Sequence, residues 1–181
     1  ILNQDQKNRF LAILYPDLYA KHEAFQQNRG IGAIGSGQFF GQGLFNGNYT
    51  QSAAVPESEN DFVFTVAAEE LGFIGAIAVL VLLAAIILRI VINGKRANDN
   101  ASYLMCMGMA SMLTAQVIIN IGMVLQWLPV IGITLPFFSA GGSSNLCVYI
   151  GIGLMMSIYR FNQKTPVANF RLQRVVTRFS T

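Results

Sequence analysis

LGFIGAIAVLVLLAAIILRIVI, residues Leu71 to Ile92, carries no charge before Arg89. A helix needs about 20 mostly apolar residues to cross a bilayer, and this run supplies them. Farther on, Ala101 to Tyr159 contains no Asp, Glu, Lys, Arg or His, which is enough chain for two more crossings. Of the 181 residues, 53% are hydrophobic and 12% charged, whereas a soluble domain carries roughly a quarter charged residues. The chain reads as an all-α integral membrane protein, a multi-spanning helical bundle with three transmembrane helices and a large extracellular loop.

The segments follow from composition. Residues 1–70 are polar, rich in Gly and Gln, and hold eight of the nine acidic residues. They form the large outer loop, in which Phe10, Leu11, Leu14, Leu18 and Tyr19 share one face of a short interfacial helix or pack as an ordinary loop. The first span is 71–92, followed by a polar connection at 93–101. The second is 102–127, with Thr114, Gln116, Asn120 and Gln126 at roughly helical spacing; amides in a span usually face protein. Residues 128–145 combine two prolines with Gly141-Gly142-Ser143-Ser144, a re-entrant loop that must be covered by protein. Gly141 and Gly142 are expected to permit its sharp reversal. The third span is 146–160, and 161–181 is a basic tail. The first residues, ILNQDQKNRF, include no initiator Met and no apolar signal core, and read as the middle of a longer protein.

Lys and Arg orient the spans. Arg89, Lys95 and Arg96 flank the first connection, and Arg160, Lys164, Arg171, Arg174 and Arg178 follow the last span. The positive-inside rule places both groups in the cytoplasm. Residues 1–70 and the 128–145 loop then lie together outside.

Several motifs are set aside on physical grounds. Gly30, Gly32 and Gly35 form G-x-G-x-x-G, yet no strand pattern precedes it and no GK[ST] follows. A tight turn where backbone approaches backbone is the better reading. Cys106 and Cys147 lie in apolar segments and read as small hydrophobes, without a disulfide. His22 is the single histidine, a poor start for a metal site. No nucleic-acid partner is expected.

VPESENDFVFTVAAEELGFIGA, Val55 to Ala76, is the unusual stretch: carboxylates at the mouth of a span are expensive beside hydrocarbon. Pro56 suits a first helical turn, and Glu57 and Glu59 suit its positive end. The helix is expected to continue through Asp61 and Phe62 to Glu70 and straight into the span. Glu57, Asp61, Thr65, Ala68 and Gly72 would then share one small, polar face. Glu57 and Glu59 can be solvated helix-start charges, and Glu69 and Glu70 can pair with other helices. Asp61, at headgroup depth beside Phe62-Val63-Phe64, is the candidate functional residue.

AIGSGQFFGQGL, VPESENDFVFTVAAEELGFIG, INIGMV and LPVIGITLPFFSAGGSSNL occur in this order. Together they resemble the RodA/FtsW proteins, the shape, elongation, division and sporulation (SEDS) family, from about Asp5 to Arg160. The resemblance implies the C-terminal portion of a multi-pass bacterial plasma-membrane protein that polymerises lipid II into peptidoglycan glycan strands on the outer face. It also implies a class B penicillin-binding protein, a transpeptidase, as partner, with lipid II and membrane lipid as the other ligands. The family's implicated Asp lies in P-E-x-x-[ST]-D-F, matched here by Pro56, Glu57, Asp61 and Phe62. Asn60 and Glu59 depart from the usual Thr or Ser and His. Gln38 replaces a common third glycine, and Arg29-Gly30 stands where a Gln-Ser pair is usual. GQGLFNGNYTQ leans toward the RodA branch.

What this implies chemically is a carboxylate, ionised at neutral pH with an ordinary pKa of about 4, accepting the proton of an attacking sugar hydroxyl. Asp61 is the general base and Glu57 its support. Glu70, Asn120, Ser139 and Ser143 are the candidate substrate contacts. A divalent cation, Mg or Mn, held in part by Asp61, could offset the pyrophosphate charge. Two other functions remain open at this point: a lipid II flippase, which would place ionisable groups near the midplane, and a non-catalytic membrane scaffold for a transpeptidase.

Overall fold

The computed structural model describes residues 25–51, 60–97 and 99–164. Among them there are five helices and no strand. They are α1 (Phe25–Gly37), α2 (Asn48–Gln51), α3 (Val63–Lys95), α4 (Asn100–Val124) and α5 (Gly142–Lys164). Three of these, α3, α4 and Gly142–Asn162 of α5, are long and apolar enough to cross a membrane. Their flanks expose large apolar side chains, among them Phe73, Val81, Leu104, Ile118 and Leu146, as lipid-facing helices do. The expected interfacial helix near Phe10 to Tyr19 and the start at Pro56 lie outside the described residues.

The chain turns from α3 to α4 over a short polar link. Asp99 caps α4, accepting a hydrogen bond from the Ser102 N–H at 2.8 Å. That backbone N–H, aided by the Ser102 hydroxyl, holds the Asp99 carboxyl below its ordinary range. Between α3, α4 and α5, Ile90, Cys106, Ala110, Leu113, Val148 and Met155 form one apolar cluster. Cys106 is buried there, as a small hydrophobe is, whereas Cys147 is exposed on α5; both are free thiols. A second cluster joins α1 and α3 to the end of α4 through Ala33, Phe62, Phe64, Ala68, Met123 and Leu135.

The glycine-rich stretch differs from expectation. FQQNRGIGAIGSG is helix α1, although each interior glycine costs roughly 1 kcal/mol against alanine. Packing outweighs propensity, because α1 lies along α3 with Ala33 fully buried. Gln27 fastens it to α4: its Nε2 donates to the carbonyls of Met123 and Leu128, both at 2.8 Å. The tight turn exists but begins later, at Gln38, in the left-handed region with φ 48°.

The span is also not a straight continuation of the Asp61 segment. Asn60, Asp61 and Phe62 form a turn, and α3 starts at Val63. Inside α3, Gly72 leaves the helix with φ 72° and ψ −168°, a region essentially reserved for glycine. An unbroken helix would bond Phe73 N–H to Glu69 C=O and Ile74 N–H to Glu70 C=O. Those four groups bond to the 38–43 loop instead. Gln42 and Gly43 donate to the Glu69 and Glu70 carbonyls, each at 3.0 Å. Phe73 and Ile74 donate to the Gln38 and Phe39 carbonyls, at 2.9 and 3.4 Å. The loop comes so near that a Cβ on Gly41 would strike the Glu70 carbonyl oxygen, and one on Gly72 would lie 2.7 Å from the Phe40 carbonyl carbon.

After the break, Phe73 to Lys95 measures roughly 34 Å at about 1.5 Å per residue, close to the hydrocarbon thickness of about 30 Å. The third span begins at Gly142, four positions earlier than the sequence pattern indicates. Asn145 N–H donates to Gly141 C=O at 3.0 Å, and the Thr134 and Ser144 hydroxyls bond at 2.9 Å, so the first turn is held. Neither Gly141 nor Gly142 has a positive φ, and a Cβ on Gly142 meets nothing within 4 Å. The loop's left-handed glycine is Gly132, with φ 78°.

Gly72→Ala is expected to destabilise the protein by at least about 1–3 kcal/mol, the cost of a non-glycine residue in such a conformation. Gln38→Gly should act oppositely, since glycine takes a left-handed φ without the penalty of about 1–2 kcal/mol. Thermal unfolding in detergent compares the two; equal midpoints for Gly72→Ala and the parent would remove the break from the account.

Candidate active site

The carboxylates separate by environment. Asp61 sits on the turn before α3 and is half-buried. Its main-chain carbonyl would accept Thr65 N–H in a continuous helix. Thr65 N–H instead donates to Phe62 C=O at 2.9 Å, and the Asp61 carbonyl accepts Asn120 Nδ2 of α4 at 2.8 Å. The same Nδ2 donates to Ile133 C=O at 2.7 Å. A Cβ on Gly132 would lie 3.4 Å from Asp61 Oδ2, so the 128–135 segment runs beside the carboxylate. Asp61 therefore stands where three elements meet: the start of α3, the last turns of α4, and the irregular loop.

Glu69 is the carboxylate that sequence reading passes over. It is fully buried, at 0% exposure. Its Oε1 accepts Tyr49 N–H at 2.8 Å and its Oε2 accepts Thr50 N–H at 3.0 Å; Ser36 Oγ approaches Oε1 at 3.4 Å. Gln42 Oε1 takes the remaining early amide of α2, from Asn48, at 3.1 Å. Glu69 thus joins α1, α2 and α3 from one position. An adjacent Glu-Glu pair is the only sequence trace of this role, with nothing to say which member turns inward.

The other candidates are placed as follows. Glu70 is buried, with its carbonyl on Gly43 N–H. Ser139 is buried; its Oγ accepts Gly141 N–H at 3.2 Å and its carbonyl accepts Asn145 Nδ2 at 2.6 Å. Ser143 is exposed on the first turn of α5. Asn120 is 0% exposed; its amide nitrogen serves two main-chain carbonyls, and its buried Oδ1 has no hydrogen-bond partner. Glu57 and Glu59 lie outside the described residues. The shared face expected for Asp61, Thr65, Ala68 and Gly72 is broken at both ends, because Asp61 precedes the helix and Gly72 interrupts it; Thr65 and Ala68 remain buried together.

Among the described residues no three His, Cys, Asp or Glu side chains gather to hold a metal ion. A cation at Asp61 would need other ligands, such as phosphate oxygens of a substrate. Beside the helix break, a cleft of about 460 Å³ is lined by residues 36–42, of which Phe39 and Phe40 are exposed.

Three spanning helices, with a half-buried carboxylate on a turn just outside one of them, define a multi-pass membrane protein with a candidate site at one end of its bundle. The chain belongs to the FtsW, RodA and SpoVE family of cell cycle proteins, whose model matches residues 1–164, and so to the multi-pass proteins of the bacterial plasma membrane. It is 36% identical over 149 residues to a probable peptidoglycan glycosyltransferase FtsW of Enterococcus hirae, covering 82% of this chain and 37% of that protein. It is 35% identical to the peptidoglycan glycosyltransferase MrdB of Escherichia coli K12, covering 88% and 43%. With the stage V sporulation protein E of Bacillus subtilis it shares 38% identity, covering 77% and 38%. These values do not favour the RodA branch over the others. A chain of a solved peptidoglycan synthase complex that coordinates polymerization and crosslinking superposes with a TM-score of 0.66 at 28% identity, over 91% of this chain and 44% of that one. The chain thus spans well under half the length of these relatives.

Glu69→Ala is expected to free α2 from the core, since hydrogen bonds to a charged group contribute about 1.5–3 kcal/mol each. Hydrogen exchange at Tyr49 and Thr50 should rise and the unfolding midpoint should fall. Unchanged protection at those two amides would refute the role.

Proposed function

We propose that this chain is part of a peptidoglycan glycosyltransferase that polymerises lipid II into glycan strands at the outer face of the plasma membrane, with Asp61 as general base. The observation that carries the reading is the position of Asp61: a half-buried carboxylate on a turn immediately outside a span, walled by α4 and the 128–135 loop. The names of the relatives support the same reaction. A lipid-linked sugar keeps its polyprenyl chain in the bilayer and presents its head group at that depth. In the reaction, Asp61 takes the proton of the acceptor's 4-hydroxyl as its oxygen bonds the donor's anomeric carbon. The bond from that carbon to the pyrophosphate breaks, and undecaprenyl pyrophosphate leaves with the electron pair. Glu57 supports the base, and Ser143, exposed nearby in sequence to the loop, is a substrate contact. A divalent ion, if held in part by Asp61, would supply charge neutralisation for the pyrophosphate.

A class B penicillin-binding protein is the proposed partner, supported by the likeness to a chain of a complex that couples polymerization with crosslinking. The flippase reading is weaker, since the carboxylates of the described spans, Glu69 and Glu70, lie before the Gly72 break and not along the membrane-crossing part of α3.

Two outcomes test this. For orientation, a cysteine placed at Asn48 should react with an impermeant thiol reagent in spheroplasts, while one at Asn98 should stay unlabelled until the membrane is opened. The opposite labelling would put the site on the wrong face for the reaction. For chemistry, Asp61→Asn in the full-length protein with its partner should lose roughly 10²–10⁴-fold or more of lipid II polymerisation, the typical contribution of general base catalysis. Glu57→Gln should lose less, and Glu59→Gln almost nothing. Near-normal polymer from Asp61→Asn rejects the base.

A further inference from the structure

We infer that Asn120 and Gly132 are positioning residues that together set where the Asp61 carboxylate points. This rests on the reading of Asp61 as the base and deepens it. Three observations converge. Asn120 is fully buried, yet it sits near the C-terminal end of an apolar helix, where a polar side chain is retained at a cost. Its amide nitrogen donates to two main-chain carbonyls, Asp61 at 2.8 Å and Ile133 at 2.7 Å. It therefore sets the separation between the Asp61 turn and the 128–135 loop. Gly132, one residue before Ile133, has φ 78° and lies against the carboxylate itself, its absent Cβ 3.4 Å from Oδ2. One residue holds the backbone of Asp61 and the other bounds its side chain.

The geometry also explains why α3 does not begin earlier. An Asn120 amide on the Asp61 carbonyl competes with the helical bond from Thr65 N–H, which goes to Phe62 instead. Removing the amide frees the carbonyl to rejoin the helix, and the carboxylate would swing with the added turn. A misplacement of about 1 Å can cost about 10²-fold in rate. Because neither residue contacts a substrate in this scheme, the loss belongs in kcat and not in KM.

The test uses the full-length protein with its partner and lipid II. Asn120→Leu and Gly132→Ala are each expected to lower kcat by roughly ten- to a hundred-fold, with KM for lipid II unchanged within about two-fold and transpeptidase binding intact. A rise in KM at constant kcat would overturn the inference and make Asn120 a substrate contact. Unchanged kcat in both folded variants would overturn it as well. If Asn120→Leu does not fold, Gly132→Ala, at an exposed loop position, decides alone. A second readout is independent of activity. In a Cys147→Ser background, the pair Asp61→Cys and Gly132→Cys should form a disulfide under mild oxidant, and adding Asn120→Leu should slow its formation several-fold. Oxidation at the same rate with and without Asn120 rejects the tie. Failure of the base reading appears elsewhere, as full activity of Asp61→Asn, so the two can be told apart.

Discussion

Four backbone hydrogen bonds between the 38–43 loop and the interrupted helix at Gly72 hold the architecture together. Breaking a helix at the edge of a membrane strands two carbonyls and two amides where water is scarce, at several kcal/mol for each group left unpaired. Gln42 and Gly43 cover the carbonyls, and the Gln38 and Phe39 carbonyls cover the amides. Without a Cβ on Gly41 or Gly72 the two strands of chain can touch. The rest is arranged around this joint. The loop is the continuation of α1, so α1 must lie along α3. Glu69, just before the break, is turned inward to receive α2. The part of α3 beyond the joint is left with a length suited to one crossing.

The site inherits this order. On one side of the joint the chain is membrane helix; on the other it is a compact cap built from α1, α2, the first turns of α3 and the 128–135 loop. Gln27 closes the C-terminal end of α4, and Asn120 links the same end to Asp61. Irregular backbone between α4 and α5 survives at this depth because protein covers it: Leu135 is 1% exposed and Ser139 3%. An acid at the surface of such a cap has a fixed address although the segment that carries it is only a turn.

Much of this was legible in the sequence. Uncharged runs of the right length announce three spans, because the penalty for charge in hydrocarbon is large and local. Asp61 stood out because it sits at a boundary and because its surroundings resemble a known family. The joint at Gly72 was not legible: a lone glycine in a helical pattern is usually tolerated, and what breaks the helix here is a loop thirty positions earlier in the chain. Helix α1 was missed for a related reason, since its three interior glycines argue for a turn until the packing partner is known. Gln38 shows the same limit. It replaces a glycine common in the family, and only the left-handed φ reveals why glycine suits that place. Asn120 could be singled out as a buried amide, but its two acceptors lie 59 and 13 positions away.

Those separations carry a consequence for biogenesis. Asp61 leaves the ribosome well before Asn120, and Asn120 before Ile133. Until Asn120 has been made, the Asp61 carbonyl lacks the amide that it accepts in the folded chain. The complete tie needs both the second span and the loop after it. A nascent or truncated chain that stops short of residue 133 carries the acid without the site.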